Sequence, residues 1–240
     1  MAYAFVNSGG AEANNVLTYS PTAGNLVVIG SATSSGAGNP NITSWQTNGG
    51  ANLAIPIASF ANGGLWVTLG YLENCPAGVT SFNAAYNGGT PGTVSQILVE
   101  YSGIATSSSI IPTTPAGKSQ SAPGTGANAV ITNTQNLTLP GGVAGALVLG
   151  LHVNDEGHTF SSGTGYTLRK NVNSNFPMLF QDLRATSNGN QTSTASVATG
   201  GTLEFSSVLA IFGEPSSGSG GGFPRPDNGE SMLVQVSRFI

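Results

Sequence analysis

A short segment with the sequence HVNDEGH contains the side chains whose types and spacing come nearest to a metal site. The imidazoles of His152 and His158 and the carboxylates of Asp155 and Glu156 could together bind Zn²⁺. The oxygen atoms of Asn154, Asp155 and Glu156 are also of the kind that Ca²⁺ prefers. The spacing matches neither the helical His pair of zinc hydrolases nor the calcium loop. The alternative interpretation, a polar hairpin tip without a cofactor, is the one we favour.

Three carboxylates in apolar segments raise the question of glycoside hydrolysis, which needs two carboxyl groups across a cleft. Glu100, Asp182 and Glu204 are far apart in the sequence, and no motif brings two of them together. We expect Glu100 and Glu204 to face solvent or to pair with Arg169 and Arg184. The serines lack a G-x-S-x-G elbow, and two His residues offer few general bases. We predict that the chain is not an enzyme, with a β-sandwich glycoside hydrolase as an alternative.

The aromatic residues offer the chemistry of sugar binding. Trp45 lies in the polar sequence TSWQ, so we expect its ring to be exposed, where it could stack on a sugar. Trp66 and Tyr71 lie in an apolar segment and are expected in the core. Trp45 is therefore the candidate ligand residue of a carbohydrate-binding module, which would also use exposed Tyr side chains and the loop that contains Asn154, Asp155 and Glu156. The single cysteine, Cys75, has no His nearby and is expected to be a small buried apolar side chain.

The elements that would position these residues are predicted to be β-strands. The apolar runs are short, rich in Val, Ile, Leu, Thr and aromatic residues, and bounded by Gly, Pro, Asn and Ser. Gly pairs such as Gly9-Gly10 and Gly49-Gly50 are expected to form turns, because Gly adopts positive φ at little cost. The predicted strands are Ala4–Val6, Val16–Tyr19, Asn25–Ser31, Leu65–Leu72, Ser81–Tyr86, Ser95–Tyr101, Asn128–Thr132, Ala146–Val153, Tyr166–Arg169, Met178–Leu183, Thr192–Val197 and Thr202–Phe212.

Two segments of similar sequence indicate an internal repeat. Ala23–Gly30 and Ala144–Leu151 share the pattern Ala-Gly-x-Leu-Val, and each is followed by a Gly-Tyr segment, at Gly70-Tyr71 and Gly165-Tyr166. The continuous apolar character of both repeats favours central strands that are covered on both faces. We predict one β-sandwich domain over residues 1–213, built from weakly similar halves of about 1–110 and 120–213 that form the facing sheets of one core. Two small packed domains are the alternative.

The composition changes after this domain. Residues 214–230 are rich in Gly, Ser and Pro and are predicted to be a linker. Residues 231–240 have the pattern of one more strand, which could complete its own sheet or add to the sheet of a neighbour. This C-terminal arm is the predicted assembly element, with apolar contacts from Met232, Leu233, Val234, Val236, Phe239 and Ile240.

The scarcity of charge excludes several classes of protein. Only 7% of the residues are charged, and the adjacent pair Arg169-Lys170 is the densest positive cluster. Nucleic acids and anionic membranes attract larger clusters of Lys and Arg, so we expect neither as a partner. The apolar runs are shorter than the roughly 20 residues of a spanning helix, and the N-terminus lacks the pattern of a signal peptide.

The segment Val99–Gly103, with the sequence VEYSG, and the closing strand Leu209–Phe212 resemble jelly-roll, lectin-like domains of bacteriophage virions and related bacterial surface proteins. The resemblance implies a jelly-roll-like antiparallel β-sandwich that acts as a capsid decoration protein, a tail or fibre component, or a carbohydrate-binding module. It also implies partners among copies of itself and other virion proteins, with glycans as partners in the carbohydrate-binding alternative. Synthesis in the host cytoplasm without a signal peptide, followed by incorporation into the virion, fits this class.

Overall fold

The protein is an all-β antiparallel sandwich, as predicted, in a computed structural model that describes residues 2–12, 15–34, 42–62, 65–87, 91, 93–104, 117–123, 129–137, 145–155, 157–173, 175–187, 189–198 and 202–213. The linker and the C-terminal arm lie outside the described residues. Within the described ranges, no helix is long and apolar enough to cross a membrane. The strands are β1 Ala4–Glu12, β2 Val16–Thr18, β3 Leu26–Ser34, β4 Ile42–Thr47, β5 Ala54–Asn62, β6 Leu65–Leu72, β7 Ser81–Tyr86, β8 Val94–Ser102, β9 Gly117–Pro123, β10 Ala129–Leu137, β11 Leu147–Asn154, β12 Phe160–Ser162, β13 Thr167–Val172, β14 Met178–Arg184, β15 Gly189–Val197 and β16 Thr202–Phe212.

These strands form two units with the same strand order. Unit 1 contains β1 to β8, in a five-stranded sheet β1-β8-β3-β6-β5 and a three-stranded sheet β2-β7-β4. Unit 2 contains β9 to β16, in a five-stranded sheet β9-β16-β11-β14-β13 and a three-stranded sheet β10-β15-β12. Every strand of unit 1 therefore has a counterpart eight strands later in the chain.

The four sheets stack as layers, with the five-stranded sheets in the middle. Side chains of β3 alternate between two cores, because Val28 packs against unit 2 whereas Val27 and Ile29 pack against the three-stranded sheet of unit 1. In unit 2, Leu149 and Leu151 of β11 likewise face unit 1. As predicted for the two repeats, β3 and β11 are buried along both faces.

The interface between the two five-stranded sheets, here named the seam, contains the most extensive of the apolar cores. Each fully buried side chain of this kind contributes about 1.5–3 kcal/mol relative to its exposed state. The seam joins the units through side chains of both sheets rather than through a few loop contacts. Its larger buried members are Leu26, Leu65, Leu69, Ile97, Tyr101, Leu147, Leu149, Leu151, Met178, Phe180 and Phe212.

The Gly pairs have different roles at different places. Gly50 has φ of 85° in the turn after β4, as the turn prediction requires. The turn predicted at Gly9-Gly10 is wrong, because both residues lie inside β1. A Cβ atom on Gly9 would lie 2.8 Å from Cδ2 of Tyr19, so Gly9 makes room for that ring. The pairs at 63–64, 88–89, 141–142 and 200–201 lie outside the described residues.

Candidate functional site

The structure places His152, the first predicted metal ligand, inside unit 2. Its side chain is completely buried on β11 and faces the three-stranded sheet of that unit. Its Nε2 lies 2.8 Å from Oγ of Ser193 on β15 and 3.1 Å from Nε2 of Gln181 on β14. Burial lowers the pKa of His152 to about 3, so its imidazole is neutral near neutral pH. Its other ring nitrogen, Nδ1, is buried without a hydrogen-bond partner.

The rest of the HVNDEGH segment forms a polar connection between two sheets. The side-chain amide of Asn154 donates to the carbonyl oxygen of His158 at 2.7 Å, and the backbone N–H of His158 donates to Oδ1 of Asn154 at 3.4 Å. The expected hairpin is not formed, because β11 and β12 belong to different sheets. Asp155 and His158 are half-buried, and Glu156 lies outside the described residues. In the part of the chain described, no three His, Cys, Asp or Glu side chains cluster closely enough for a metal.

Gln181 links the two sheets of unit 2. Its side-chain amide donates to Oγ of Ser193 at 2.9 Å and to the carbonyl oxygen of Thr194 at 2.7 Å, and its Oε1 accepts from the N–H of Gly163 at 3.0 Å. The backbone of Gly150 allows this approach, since a Cβ there would lie 2.9 Å from Cβ of Ser193. The network satisfies buried polar groups and fixes the distance between the sheets. Ser193 and His152 are both fully buried. Because they lie on β15 and β11, their contact also links the three-stranded sheet to the five-stranded sheet.

The predicted exposure of Trp45 is wrong. Its ring is fully buried between the sheets of unit 1, and its indole N–H donates to Oε1 of Gln96 at 2.8 Å. Atom Cε3 of the ring would lie only 2.7 Å from a Cβ on Gly70, so Gly70 creates the space for it. Trp66, expected in the core, is half-buried. A buried Trp45 cannot stack on a sugar, and its contacts join β4, β6 and β8.

Glu100 is a buried carboxylate, which corrects the expectation that it faces solvent. Its oxygens accept hydrogen bonds from the hydroxyl of Tyr19 at 2.7 Å, the N–H of Thr22 at 2.9 Å and the amide of Asn25 at 2.6 Å. Burial raises the pKa of Tyr19, and the hydrogen bond from its hydroxyl to Glu100 and the charge of Glu100 raise it further. The three bonds fasten the connection between β2 and β3 to β8. Glu204 has no described side chain.

Asp182 is the centre of a polar cluster within the seam. The hydroxyl of Tyr101, on unit 1, donates to Oδ2 of Asp182 at 2.7 Å, and Nε of Arg169 donates to the same oxygen at 2.7 Å. Burial and the neighbouring Asp182 raise the pKa of Tyr101. A bulge in β13, between the paired residues Leu168 and Lys170, contains Arg169. Asp182, and not the expected Glu100, is therefore the carboxylate partner of Arg169.

Aromatic rings extend the Asp182 cluster to the edge strand β1. The guanidinium carbon of Arg169 lies 4.7 Å from the ring centroid of Phe5, a cation–π arrangement. The rings of Tyr3 and Phe5 meet Tyr101 edge-on, with centroids 6.0 Å and 5.8 Å away. A second guanidinium, that of Arg184 on β14, has its carbon 5.7 Å from the ring centroid of Tyr3. The cluster thus uses one carboxylate, two cations and three rings to join β1 and β8 of unit 1 to β13 and β14 of unit 2.

Cys75 is buried and unpaired, as predicted. Burial, with a smaller effect of Glu100, raises the pKa of its thiol to about 11. The thiolate needed for nucleophilic or redox chemistry is therefore scarce at neutral pH. Cys75 fills space in unit 1, where it packs in one core with Trp45 and Phe82.

Comparison with known proteins gives no matching protein family and no matching curated sequence. Among solved structures, the chain is similar to the crystal structure of the major capsid protein P2 from bacteriophage PM2, with a TM-score of 0.32 and 11% sequence identity. The alignment covers 91% of this chain and 100% of that chain.

Proposed function

We propose that this chain is a non-enzymatic structural component of a bacteriophage virion, which assembles with copies of itself and with other virion proteins. The observation that carries the proposal is the seam, which uses both five-stranded sheets to join the units into one four-layer block. The buried polar residues His152, Glu100 and Asp182 each bond to neighbouring strands or connections. These residues hold strands and connections together, which is the role expected of buried polar residues in a structural protein.

The strand pairing supports the jelly-roll form of the proposal. In unit 1, β1 pairs with β8, β2 with β7 and β3 with β6, and unit 2 repeats this pattern as β9 with β16, β10 with β15 and β11 with β14. This is the pairing of a long hairpin that is wound into two facing sheets. We propose that each unit is a jelly roll.

The outer surface supports assembly. In the part of the chain whose side chains are described, the large apolar residues that are exposed are Val6, Val16, Val130 and Leu168. They lie on β1, β2, β10 and β13, which are edge strands of four different sheets. Edge strands offer unpaired backbone groups to another chain, and a net charge of −4 over 240 residues gives little repulsion between copies.

The C-terminal arm is proposed as a second assembly element. Residues 231–240 have the alternating pattern of a strand, and the 214–230 linker would let them reach a neighbouring sheet edge. The glycan-binding alternative combines Trp45 with exposed Tyr side chains and the Asn154–Glu156 loop, and the ring of Trp45 is buried. We therefore retain the structural role, in a capsid or tail position, as the function that the geometry supports best.

The test uses the intact chain, a variant that ends at residue 213, and the surface variant Val130→Asp with Ser161→Asp as its control. Ser161 is exposed on β12, at the opposite edge of the same sheet as Val130. Light scattering and electron microscopy are expected to show regular assemblies for the intact chain and Ser161→Asp, and their loss in the other two proteins. Mass spectrometry of purified particles of a phage that encodes the chain should detect it in many copies. A monomer at millimolar concentration that is absent from such particles would overturn the proposal.

A further inference from the structure

The two faces of the seam occupy equivalent positions in the two units. Leu26 of β3 pairs with Tyr101, and Leu147 of β11 pairs with Phe212. Two residues further along these strands, Val28 pairs with Tyr71 and Leu149 pairs with Asp182. Tyr101 in unit 1 therefore corresponds to Phe212 in unit 2, and Tyr71 corresponds to Asp182.

The contacts across the seam follow the same correspondence. Tyr101 contacts Asp182, and their counterparts Phe212 and Tyr71 contact each other edge-on with ring centroids 5.5 Å apart. The edge strands behave alike, because β1 meets β13 and their counterparts β9 and β5 also meet. In a two-fold interface, every contact between two residues is repeated by a contact between their counterparts, with the two units exchanged. The seam is therefore a pseudo-two-fold interface within one chain.

At the centre of this interface, one residue meets its own counterpart. Gly30 of β3 and Leu151 of β11 are equivalent, since each lies four residues after the Leu that begins its strand. A Cβ on Gly30 would lie 2.7 Å from Cδ2 and 3.0 Å from Cδ1 of Leu151. The Leu151 side chain thus packs into the space that the missing side chain of Gly30 leaves open, as a knob fits into a hole in helix packing.

We propose that the Gly30–Leu151 pair, with the Tyr101–Asp182 bond, determines that each unit pairs with the other unit and not with a second unit of its own kind. Two copies of unit 1 would oppose Gly30 to Gly30 and leave a void, with Tyr101 facing Tyr71 instead of a carboxylate. Two copies of unit 2 would oppose Leu151 to Leu151 and place Asp182 against Phe212. The seam then closes within the chain, and copies meet through their outer surfaces.

Single substitutions in the intact chain reproduce the residue pairs that two copies of unit 1, or two copies of unit 2, would form at this position. Leu151→Gly gives the Gly–Gly pair of two units 1, and Gly30→Leu gives the Leu–Leu pair of two units 2. The reversed variant Gly30→Leu with Leu151→Gly restores one knob and one hole. A milder set, Gly30→Ala, Leu151→Ala and the double variant, covers the case in which the larger changes prevent folding. Gly9→Ala with Leu151→Ala is the additive control, because Gly9 faces Tyr19 and not Leu151.

The measurements are the urea midpoint of unfolding and the mass of each protein in solution. Each single variant is expected to lower the midpoint, with Leu151→Ala reducing the folding equilibrium constant about thirty-fold or more because it leaves a cavity. The double variants at positions 30 and 151 should recover much of the combined loss, whereas the Gly9 control should show the sum of its two effects. The inference would be overturned if the Leu–Leu or Gly–Gly variant had the same urea midpoint as the wild-type chain. It would also be overturned if the loss of stability in the double variants equalled the sum of the losses in the single variants.

Discussion

Burial strongly affects the protonation of His152. Its pKa is lowered from 6.5 to about 3 because a charged imidazole would lose its hydration in the interior of unit 2. The unfolded chain therefore binds a proton at this position more readily than the folded chain below pH 6.5. The contribution of His152 to stability is constant above that pH and is lost as the pH falls towards 3.

This difference predicts an acid-sensitive step in stability that belongs to His152. The expected slope is about 1.4 kcal/mol per pH unit between roughly pH 6 and pH 3.5. Denaturant unfolding at several pH values should show a shallower slope for His152→Gln than for the wild-type chain. Equal slopes in the wild-type chain and His152→Gln would contradict the prediction.

The buried positions of His152 and Glu100 could not be read from their local sequence. Alternation along a strand identifies an inward residue only when the other face of the strand is exposed. Both faces of β8 and β11 are buried. The residues next to Glu100 and His152 in the sequence therefore do not indicate which face these two side chains occupy. The sequence around Glu100 does not predict its burial, because its three hydrogen-bond donors lie about 80 residues earlier in the chain.

At the scale of elements, the apolar runs predict every long central strand and miss four others. The missed strands are β4, β5, β9 and β12. Of these, β12 has three residues, and β5 and β9 are edge strands that contain Pro56 and Pro123. Proline is tolerated at an edge because one side of the strand needs no hydrogen bond, so a proline does not exclude a strand there. These elements owe their position to neighbouring strands rather than to their own composition.

The sequence repeat correctly predicts β3 and β11 as counterparts, but the two Gly-Tyr segments that follow them are not counterparts of each other. The Gly70-Tyr71 segment lies in β6, and its counterpart by register is Gln181-Asp182 in β14. Gly165-Tyr166, which has the similar sequence, precedes the edge strand β13 instead. A shared dipeptide carries little information about strand pairing, whereas backbone register fixes it.

The packing of β4 on β6 predicts a strict size limit at position 70. A Cβ in Gly70→Ala would lie 2.7 Å and 2.8 Å from two atoms of the Trp45 ring, which is itself held by its bond to Gln96. Overpacking of this kind costs about 1–3 kcal/mol, so we expect a loss of that size in the free energy of unfolding. Thermal unfolding followed by tryptophan fluorescence would measure it.

Gly49→Ala is the control for this change. The nearest atom to a Cβ at Gly49 is Oγ1 of Thr47 at 3.8 Å, so the substitution should alter stability by less than about 0.5 kcal/mol. If Gly70→Ala is as stable as Gly49→Ala, the three-stranded sheet of unit 1 does not depend on close contact between Trp45 and β6.

At the scale of the whole molecule, the seam determines how the chain unfolds. Each unit would expose its five-stranded sheet if the other unit unfolded, including Leu69 and Ile97 in unit 1 and Leu149 and Phe180 in unit 2. Exposure of so many apolar side chains costs more free energy than a single folded unit of this size can easily offset, since domain stabilities are about 5–15 kcal/mol. The sequence repeat favours one domain but leaves two small packed domains as an alternative, because it does not show which faces the repeats share.

We therefore expect one cooperative unfolding transition for both units. Both tryptophans, Trp45 and Trp66, lie in unit 1, so their fluorescence follows that unit, whereas far-ultraviolet circular dichroism follows the strands of both units. Coincident urea transitions by the two probes are the expected result, as in other two-state systems. Asp182→Asn, which weakens the seam by removing the charge between Arg169 and Tyr101, should lower both midpoints together. A fluorescence midpoint that differs from the dichroism midpoint in the wild-type chain would show that the units unfold independently and that the seam does not bind them into one block.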